Sequence, residues 1–409
     1  MYLETPKKFR TLQNQARQVA ENYLRPISRK YDKAEHAYPK ELDLLAALLD
    51  GMNAGSPDAV GATSASKRKA GAEQGAEQGA EQGVKNGGNL SACLGVMEMC
   101  WGDTGLLLAM PRQGLGNAAI AAVANEEQLK RFAGTWAAMA ITEPGCGSDS
   151  AAIRTTATRD GDHYVLNGEK IFVTSGARAD AVVVWATLDK SLGRAAIKSF
   201  VVEKGTPGMT VTRLEKKLGI KASDTASISF SDCRVPAANL LGNAEIDVQK
   251  GFAGVMETFD NTRPLVAAMA IGVAKASLDR TRELLKRAGC RFDYRQPLLS
   301  ASHAEATLYR LEAEWEAARL LTLKAAWMAD NRLPNSKEAS IAKAKAGRVA
   351  NEVTLKCVEL AGALGYGEEE LLEKWARDSK ILDIFEGTQQ IQLLIVARRL
   401  LGKSSSQLK

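Results

Sequence analysis

The chain has 409 residues, which allows two or three domains and a sizeable core. Charged residues make up 25% and the apolar set 45%, an ordinary soluble composition, and 54 Lys and Arg against 48 Asp and Glu leave a formal charge of +6. The excess is spread along the chain with no basic stripe among aromatics, which argues against a nucleic-acid partner. Six cysteines lie scattered without a C-x-x-C pair, and none of the three histidines is near one. Neither metal ligands nor a disulfide framework is expected. The start, Met1-Tyr2-Leu3-Glu4, lacks the pattern of a secretory signal, and the longest apolar run, Leu265 to Ala274, is too short to span a bilayer. A cytoplasmic location is the expectation.

Residues 7–32 carry apolar side chains at helical spacing, and Pro39 opens a second helix with Leu42, Leu44, Leu45, Leu48 and Leu49 on its apolar side. From Gly51 to Gly88 the pattern collapses into Gly, Ala, Ser and charge, including Ala-Glu-Gln-Gly repeats between Ala72 and Gly83. Such a stretch buries too little apolar surface to offset its ordering entropy, so residues 51–88 read as a mobile loop. Helical periodicity resumes near Leu90 and runs to Phe132, interrupted at Pro111.

From Trp136 to Asp232 the period turns to alternation, with Asp160-Gly161 marking a hairpin and β-branched runs at Ala181–Thr187, Ser199–Glu203 and Thr225–Phe230. Long helical patterns follow: Val248–Ala288, His303–Asp330, Ser336–Leu364, Glu369–Ile384 and Gln389–Leu401. The order helical, β, helical predicts an α+β multidomain protein. An N-terminal helical domain (1–134) precedes a middle β-barrel or sandwich domain (135–245) and a C-terminal four-helix bundle (246–409) that pairs with another copy.

Two segments stand apart from core chemistry. Thr142-Glu143-Pro144-Gly145-Cys146-Gly147-Ser148-Asp149 places hydroxyls and glycines in a turn after an apolar run, where backbone can approach a ligand. Residue types alone leave it even with an ordinary strand-exit turn. In Gly168-Glu169-Lys170-Ile171-Phe172-Val173-Thr174-Ser175-Gly176, an aromatic and a hydroxyl on one strand suit a flat heterocycle, although Phe172 by itself reads as core. Near the C-terminus, Asp383-Ile384-Phe385-Glu386-Gly387-Thr388-Gln389-Gln390-Ile391-Gln392 holds one carboxylate between an apolar pair and a Gly-Thr turn.

These three segments, with Leu218-Gly219-Ile220-Lys221-Ala222-Ser223-Asp224-Thr225 and Phe259-Asp260-Asn261-Thr262-Arg263-Pro264 between them, occur in the order and spacing of the acyl-CoA dehydrogenase family. The chain resembles that family over nearly its whole length, most closely the medium-chain type. The resemblance implies FAD as cofactor, an acyl-CoA substrate and an electron-transferring flavoprotein as acceptor. It implies that Met139, Ile141, Thr142, Gly147, Ser148, Phe172, Thr174, Thr388 and Gln390 contact the flavin, with Arg291 contributed across a homodimer or homotetramer interface. Ser148, Asp260, Arg263, Gly387 and Arg398 fall at substrate-side positions, and Glu386 at that of the general base. Some members carry the base on the long helix, where this chain has Thr262. Leu106 to Met110, Phe252 and Phe385 are candidates to line an acyl pocket.

Two departures qualify the resemblance. The segments that reach a neighbour's FAD diphosphate read Arg291-Phe292-Asp293-Tyr294 and Glu359-Leu360-Ala361-Gly362-Ala363, putting acids where neutral groups face a dianion. Like charges within about 5 Å are unfavourable by roughly 1 kcal/mol or more. That motivates an alternative, a half-site or non-catalytic subunit of a hetero-oligomer. A flavin oxidase is a third reading. The second departure is the 51–88 loop, which replaces an ordered Gly-rich passage.

Overall fold

The computed structural model describes residues 7–53, 87–112, 114–246, 253–404 and 407; the side chains of 48–53 and 253–261 fall outside the description. The N-terminal part begins with α1 (Arg10–Val19), which continues through a π-turn at Ala20–Leu24 into α2 (Arg25–Lys33), followed by α3 (Glu41–Asn53). Next come α4 (Gly88–Gly102), α5 (Thr104–Leu108), α6 (Leu115–Val123) and α7 (Glu126–Arg131). At the edges of the expected 51–88 loop, residues 51–53 belong to α3 and Gly88 opens α4. Residues 54–86 of that loop lie outside the described residues. Local chemistry sets several starts: Asp103 caps α5 by accepting the Leu106 N–H at 2.8 Å, and Asn125 with Gln128 forms a capping box on α7.

The middle part is one seven-stranded sheet in the order β1-β4-β2-β3-β7-β6, with β5 also paired to β4. The strands are β1 (Ala137–Ala140), β2 (Thr156–Asp160), β3 (His163–Thr174), β4 (Ala181–Thr187), β5 (Ile197–Glu203), β6 (Met209–Leu214) and β7 (Thr225–Pro236). β4 reads Ala-Val-Val-Val-Trp-Ala-Thr and every residue is buried, because it separates two cores. Val182, Val184 and Ala186 join Phe200 and Phe230 on one side. Ala181, Val183 and Trp185 join Ile120, Leu129 and Phe132 on the other. β3 is irregular, with register shifts against β7 between Leu166 and Gly168 and between Lys170 and Val173.

The C-terminal part comprises α8 (Ala253–Arg287), α9 (His303–Asp330), α10 (Ser336–Ala361), α11 (Ala363–Tyr366), α12 (Leu372–Ser379) and α13 (Gln389–Leu401). The expected Ser336–Leu364 helix is broken at Gly362, whose φ of +57° reverses the chain between α10 and α11. The bundle core joins α8, α9 and α10 to Leu372 and Trp375 of α12, and Leu90, Cys93, Leu94 and Met97 of α4 pack into the same core. α13 contributes no apolar side chain to that core; its one buried residue is Gln392. Among the described residues no helix is long and apolar enough to cross a membrane.

Candidate active site

Glu386 lies in the turn between the 3-10 segment Lys380–Asp383 and α13. Its φ is +54° and that of Gly387 is +87°. A non-glycine residue in the left-handed region costs on the order of 1–3 kcal/mol and persists only where its surroundings over-determine it. Here the surroundings are two side chains from different helices. The Gln392 amide donates to the Glu386 carbonyl at 3.0 Å and to that of Gly387 at 3.2 Å. From α10, the buried Lys343 ammonium donates to the Gly387 carbonyl at 2.7 Å. Thr388 then caps α13, its hydroxyl accepting the Ile391 N–H at 3.4 Å.

The Glu386 carboxyl has its Oε2 sealed from solvent, with no hydrogen-bond partner among the described residues. Burial pushes it above the ordinary carboxylate range, opposed by the Thr262 hydroxyl and by the charges of Arg263 and Lys343. Burial likewise pulls Lys343 down to about 8, against the raising influence of Asp383 and Glu386.

The glycine-rich turn is braced from below. Glu143 is buried and accepts the Lys170 ammonium at 2.7 Å, the Arg154 N–H at 2.6 Å, and both the N–H and the hydroxyl of Thr155 at 2.9 and 2.6 Å. Burial works to raise its pKa, but these donors together outweigh it and hold the carboxyl below its usual range. The Thr142 carbonyl accepts the Ile171 N–H at 2.9 Å, which sets the turn beside Phe172. Gly147 and Ser148 are left exposed at its rim.

Phe172 is not a core residue. It is 60% exposed, with φ at +57°, inside the β3 irregularity that ends at Val173. The bulge turns the ring out of the buried alternation, in which Val173 is inside and Thr174 half-buried. Met139 and Ile141 are partly buried against the Val183–Trp185 core.

Bonds from the end of this strand lead through the 218–225 motif to α12, the helix that precedes the Glu386 turn. The Ser175 N–H donates to the Asp224 carbonyl at 3.0 Å, and the Ile220 N–H, three residues before Ser223, donates to Asp378 Oδ1 of α12 at 2.5 Å. Asp378 and Asp103 share the Lys374 ammonium at 2.5 and 2.7 Å, all three buried. The Leu218–Thr225 motif is therefore a junction of all three parts of the chain. Gly219 is required there because a Cβ would stand 2.5 Å from the Arg377 backbone.

Arg263 is buried beside Glu386, while the side chain of Asp260 and the whole of Phe252 lie outside the description. Arg398, on α13, has a buried Nε without a partner among the described residues, and Gln390 is exposed. Arg291 is exposed and its N–H donates to Glu305 at 2.7 Å. Asp293 is clamped by the Arg295 guanidinium at 2.9 and 3.1 Å, and Glu359 pairs with Lys356 at 2.6 Å. Of the pocket candidates, Leu106, Ala109 and Met110 belong to a buried core with Leu24 and Tyr31, and Phe385 packs on the bundle. Sequence pattern does not distinguish Lys343 and Gln392, since a lysine or glutamine in a helix ordinarily signals a solvated face, and the bracing role of Glu143 within its turn depends on Lys170, 27 residues away.

The chain thus presents an exposed ring at Phe172, a half-buried hydroxyl at Thr174 two residues on, a glycine-rich turn whose Thr142 carbonyl bonds Ile171, and a buried carboxyl whose Oε2 has no partner among the described residues. The sequence matches the profile of the acyl-CoA dehydrogenase C-terminal domain over residues 249–401 and that of the middle domain over residues 138–233. The chain belongs to the acyl-CoA dehydrogenase family. It is 37% identical over 324 residues to a probable acyl-CoA dehydrogenase, YngJ, of Bacillus subtilis strain 168, covering 77% of this chain and 83% of that one. It is 40% identical over 262 residues to the short-chain specific mitochondrial acyl-CoA dehydrogenase of Rattus norvegicus, covering 64% of this chain but only 62% of the relative's length. The structure of butyryl-CoA dehydrogenase from Megasphaera elsdenii superposes with a TM-score of 0.80 at 32% identity, over 98% of this chain and all of that one.

Proposed function

We propose that this protein is an FAD-dependent acyl-CoA dehydrogenase that converts an acyl-CoA to its trans-2-enoyl-CoA, with Glu386 as general base. The observation that carries the reading is the sealed, unpartnered Oε2 of Glu386 on a turn held in a strained backbone conformation. Met139, Ile141, Thr142, Gly147, Ser148, Phe172, Thr174, Thr388 and Gln390 would hold the FAD, with Arg291 from a neighbouring copy. Bound FAD would supply the acceptor for the β-hydride at N5.

A thioester α-proton is far too weakly acidic for an exposed carboxylate near pKa 4.3. Burial raises Glu386 toward the working range, and its Oε2 takes the proton. Among the described residues no acceptor engages the Glu386 N–H, which leaves it to bond the thioester carbonyl as enolate charge develops. Asp260, Arg263, Ser148, Gly387 and Arg398 are assigned to the substrate side. Similarity to the rat short-chain and Megasphaera butyryl-CoA enzymes favours a short acyl chain, and an electron-transferring flavoprotein as acceptor completes the reading.

Butyryl-CoA should bleach the yellow flavin of the purified protein, and Glu386→Gln should slow bleaching by about 10²-fold or more while keeping the colour. A chain-length series with an artificial acceptor then fixes the substrate. The hetero-oligomer alternative loses its electrostatic motive, because Asp293 and Glu359 each have a cationic partner within this chain. One flavin per chain in the singly expressed protein supports the homo-oligomer; a stoichiometry of one half restores the alternative.

A further inference from the structure

One face of α10 carries Lys343, Gly347, Asn351 and Thr354, spaced by four, four and three residues, so they stack on a single stripe. Each touches the segment that bears the base. Thr354 Oγ1 lies 2.9 Å from Ser379 Oγ, and Asn351 donates to the Ser379 carbonyl at 3.3 Å. Gly347 admits the Leu382 carbonyl where a Cβ would stand at 2.9 Å, and Lys343 reaches the Gly387 carbonyl at 2.7 Å. The stripe is thus a floor under residues 379–387, and Lys343 is its only charged member.

We propose that Lys343 is a positioning residue for the base: its bond to the Gly387 carbonyl holds the Glu386 turn in place. The inference rests on Glu386 being the general base. The charged groups facing Lys343 come from three elements: Asp383 from the 3-10 segment, Glu386 from the turn and Arg263 from α8. Asp383 is also 3.5 Å from Lys380, so its charge is divided between two lysines. Lys343 donates no proton in the reaction; it acts through backbone placement and through the field at Glu386.

The test uses the flavin-loaded full chain, butyryl-CoA and a ferrocenium acceptor, with Lys343→Met removing the donor and the charge. kcat should fall by about tenfold or more, while KM stays within about threefold. The acidic limb of the kcat/KM profile should move to higher pH, because the ionised form of Glu386 has lost a neighbouring cation. Hydrogen exchange across residues 384–392, read by mass spectrometry without turnover, should quicken by about tenfold while β3 and β4 keep their rates. Lys343→Arg should restore the limb. If Lys343→Met does not fold, Lys343→Gln carries the same profile measurement, since its amide replaces the donor without the charge. An unmoved limb together with unchanged exchange overturns the proposal. A Glu386→Gln variant with kcat within about tenfold of the wild type overturns the underlying base assignment instead, and the exchange result then still reports on the turn alone.

Discussion

The Ile220 N–H of the middle domain donates to the buried Asp378 of α12 at 2.5 Å, seven residues before Phe385. Asp378 in turn binds Lys374, and Lys374 binds Asp103, whose other oxygen caps α5. One buried cation therefore fastens the N-terminal helices, the sheet and the base-bearing segment together.

Removing that cation should be costly. Burial works against the Lys374 charge, but Asp103 and Asp378 outweigh it and raise the ammonium above its usual range. Lys374→Met would strand two buried carboxylates, and breaking a buried pair from one side costs about 3–5 kcal/mol. The triple change Asp103→Asn, Lys374→Met, Asp378→Asn should recover part of that loss, since no unpaired charge remains. Denaturation midpoints of the two variants check this, and an equal loss in both would contradict it.

Glu386→Gln should separate stability from activity. The reaction should slow by about 10²–10⁴-fold, the usual contribution of a positioned base. In the wild type, activity should disappear as pH falls through the raised pKa of Glu386, because the carboxyl is then already protonated. The stability sign is opposite. With a folded pKa above the ordinary 4.5, the native state holds the proton more tightly than the unfolded chain, so stability declines as pH rises between the two values. The glutamine variant should lack this slope and melt higher at neutral pH, as a thermal series against pH would show.

Phe172 and Phe200 should respond in contrary ways to truncation. Phe200 is fully buried, with its ring centroid 5.1 Å from that of Tyr164, and Phe200→Ala should cost about 3–5 kcal/mol. Phe172 is 60% exposed, so Phe172→Ala should change the stability of the flavin-free chain by less than about 1 kcal/mol. Flavin retention on gel filtration should nevertheless fall for Phe172→Ala. A large stability loss without flavin loss would return Phe172 to the core.

The order of helices and strands was legible because long periodic segments declare themselves: His303–Asp330 and Gln389–Leu401 have the bounds expected from pattern, and so does β4. β1 and β6 were not read as strands. β1 is the short Ala-Ala-Met-Ala, and β6 is largely exposed, so its pairing with β7 leaves no strong alternation. At the site, Glu386 and the glycine-rich turn were visible as local motifs, and Phe172 resolved into an exposed platform only once the bulge was seen. Lys343 and Gln392 could not be recovered that way. Their contacts lie 44 and 5 or 6 residues from the carbonyls they hold, and one of those separations depends on how α10 crosses the turn.

Gly347 gives the sharpest test of that crossing. In an isolated helix, Gly347→Ala would be favourable by about 1 kcal/mol. Here the new Cβ would stand 2.9 Å from the Leu382 carbonyl and 3.2 Å from Asp383 Cα, and both are backbone atoms that move only with the segment itself. The propensity gain and the steric cost oppose each other, so the melting temperature should shift little. The displacement should pass to Glu386, three residues beyond Asp383, where misplacing a reacting group by about 1 Å costs on the order of 10²-fold in rate. Steady-state kinetics beside a thermal melt checks both halves, and full kcat in Gly347→Ala would mean that α10 does not set the position of the base.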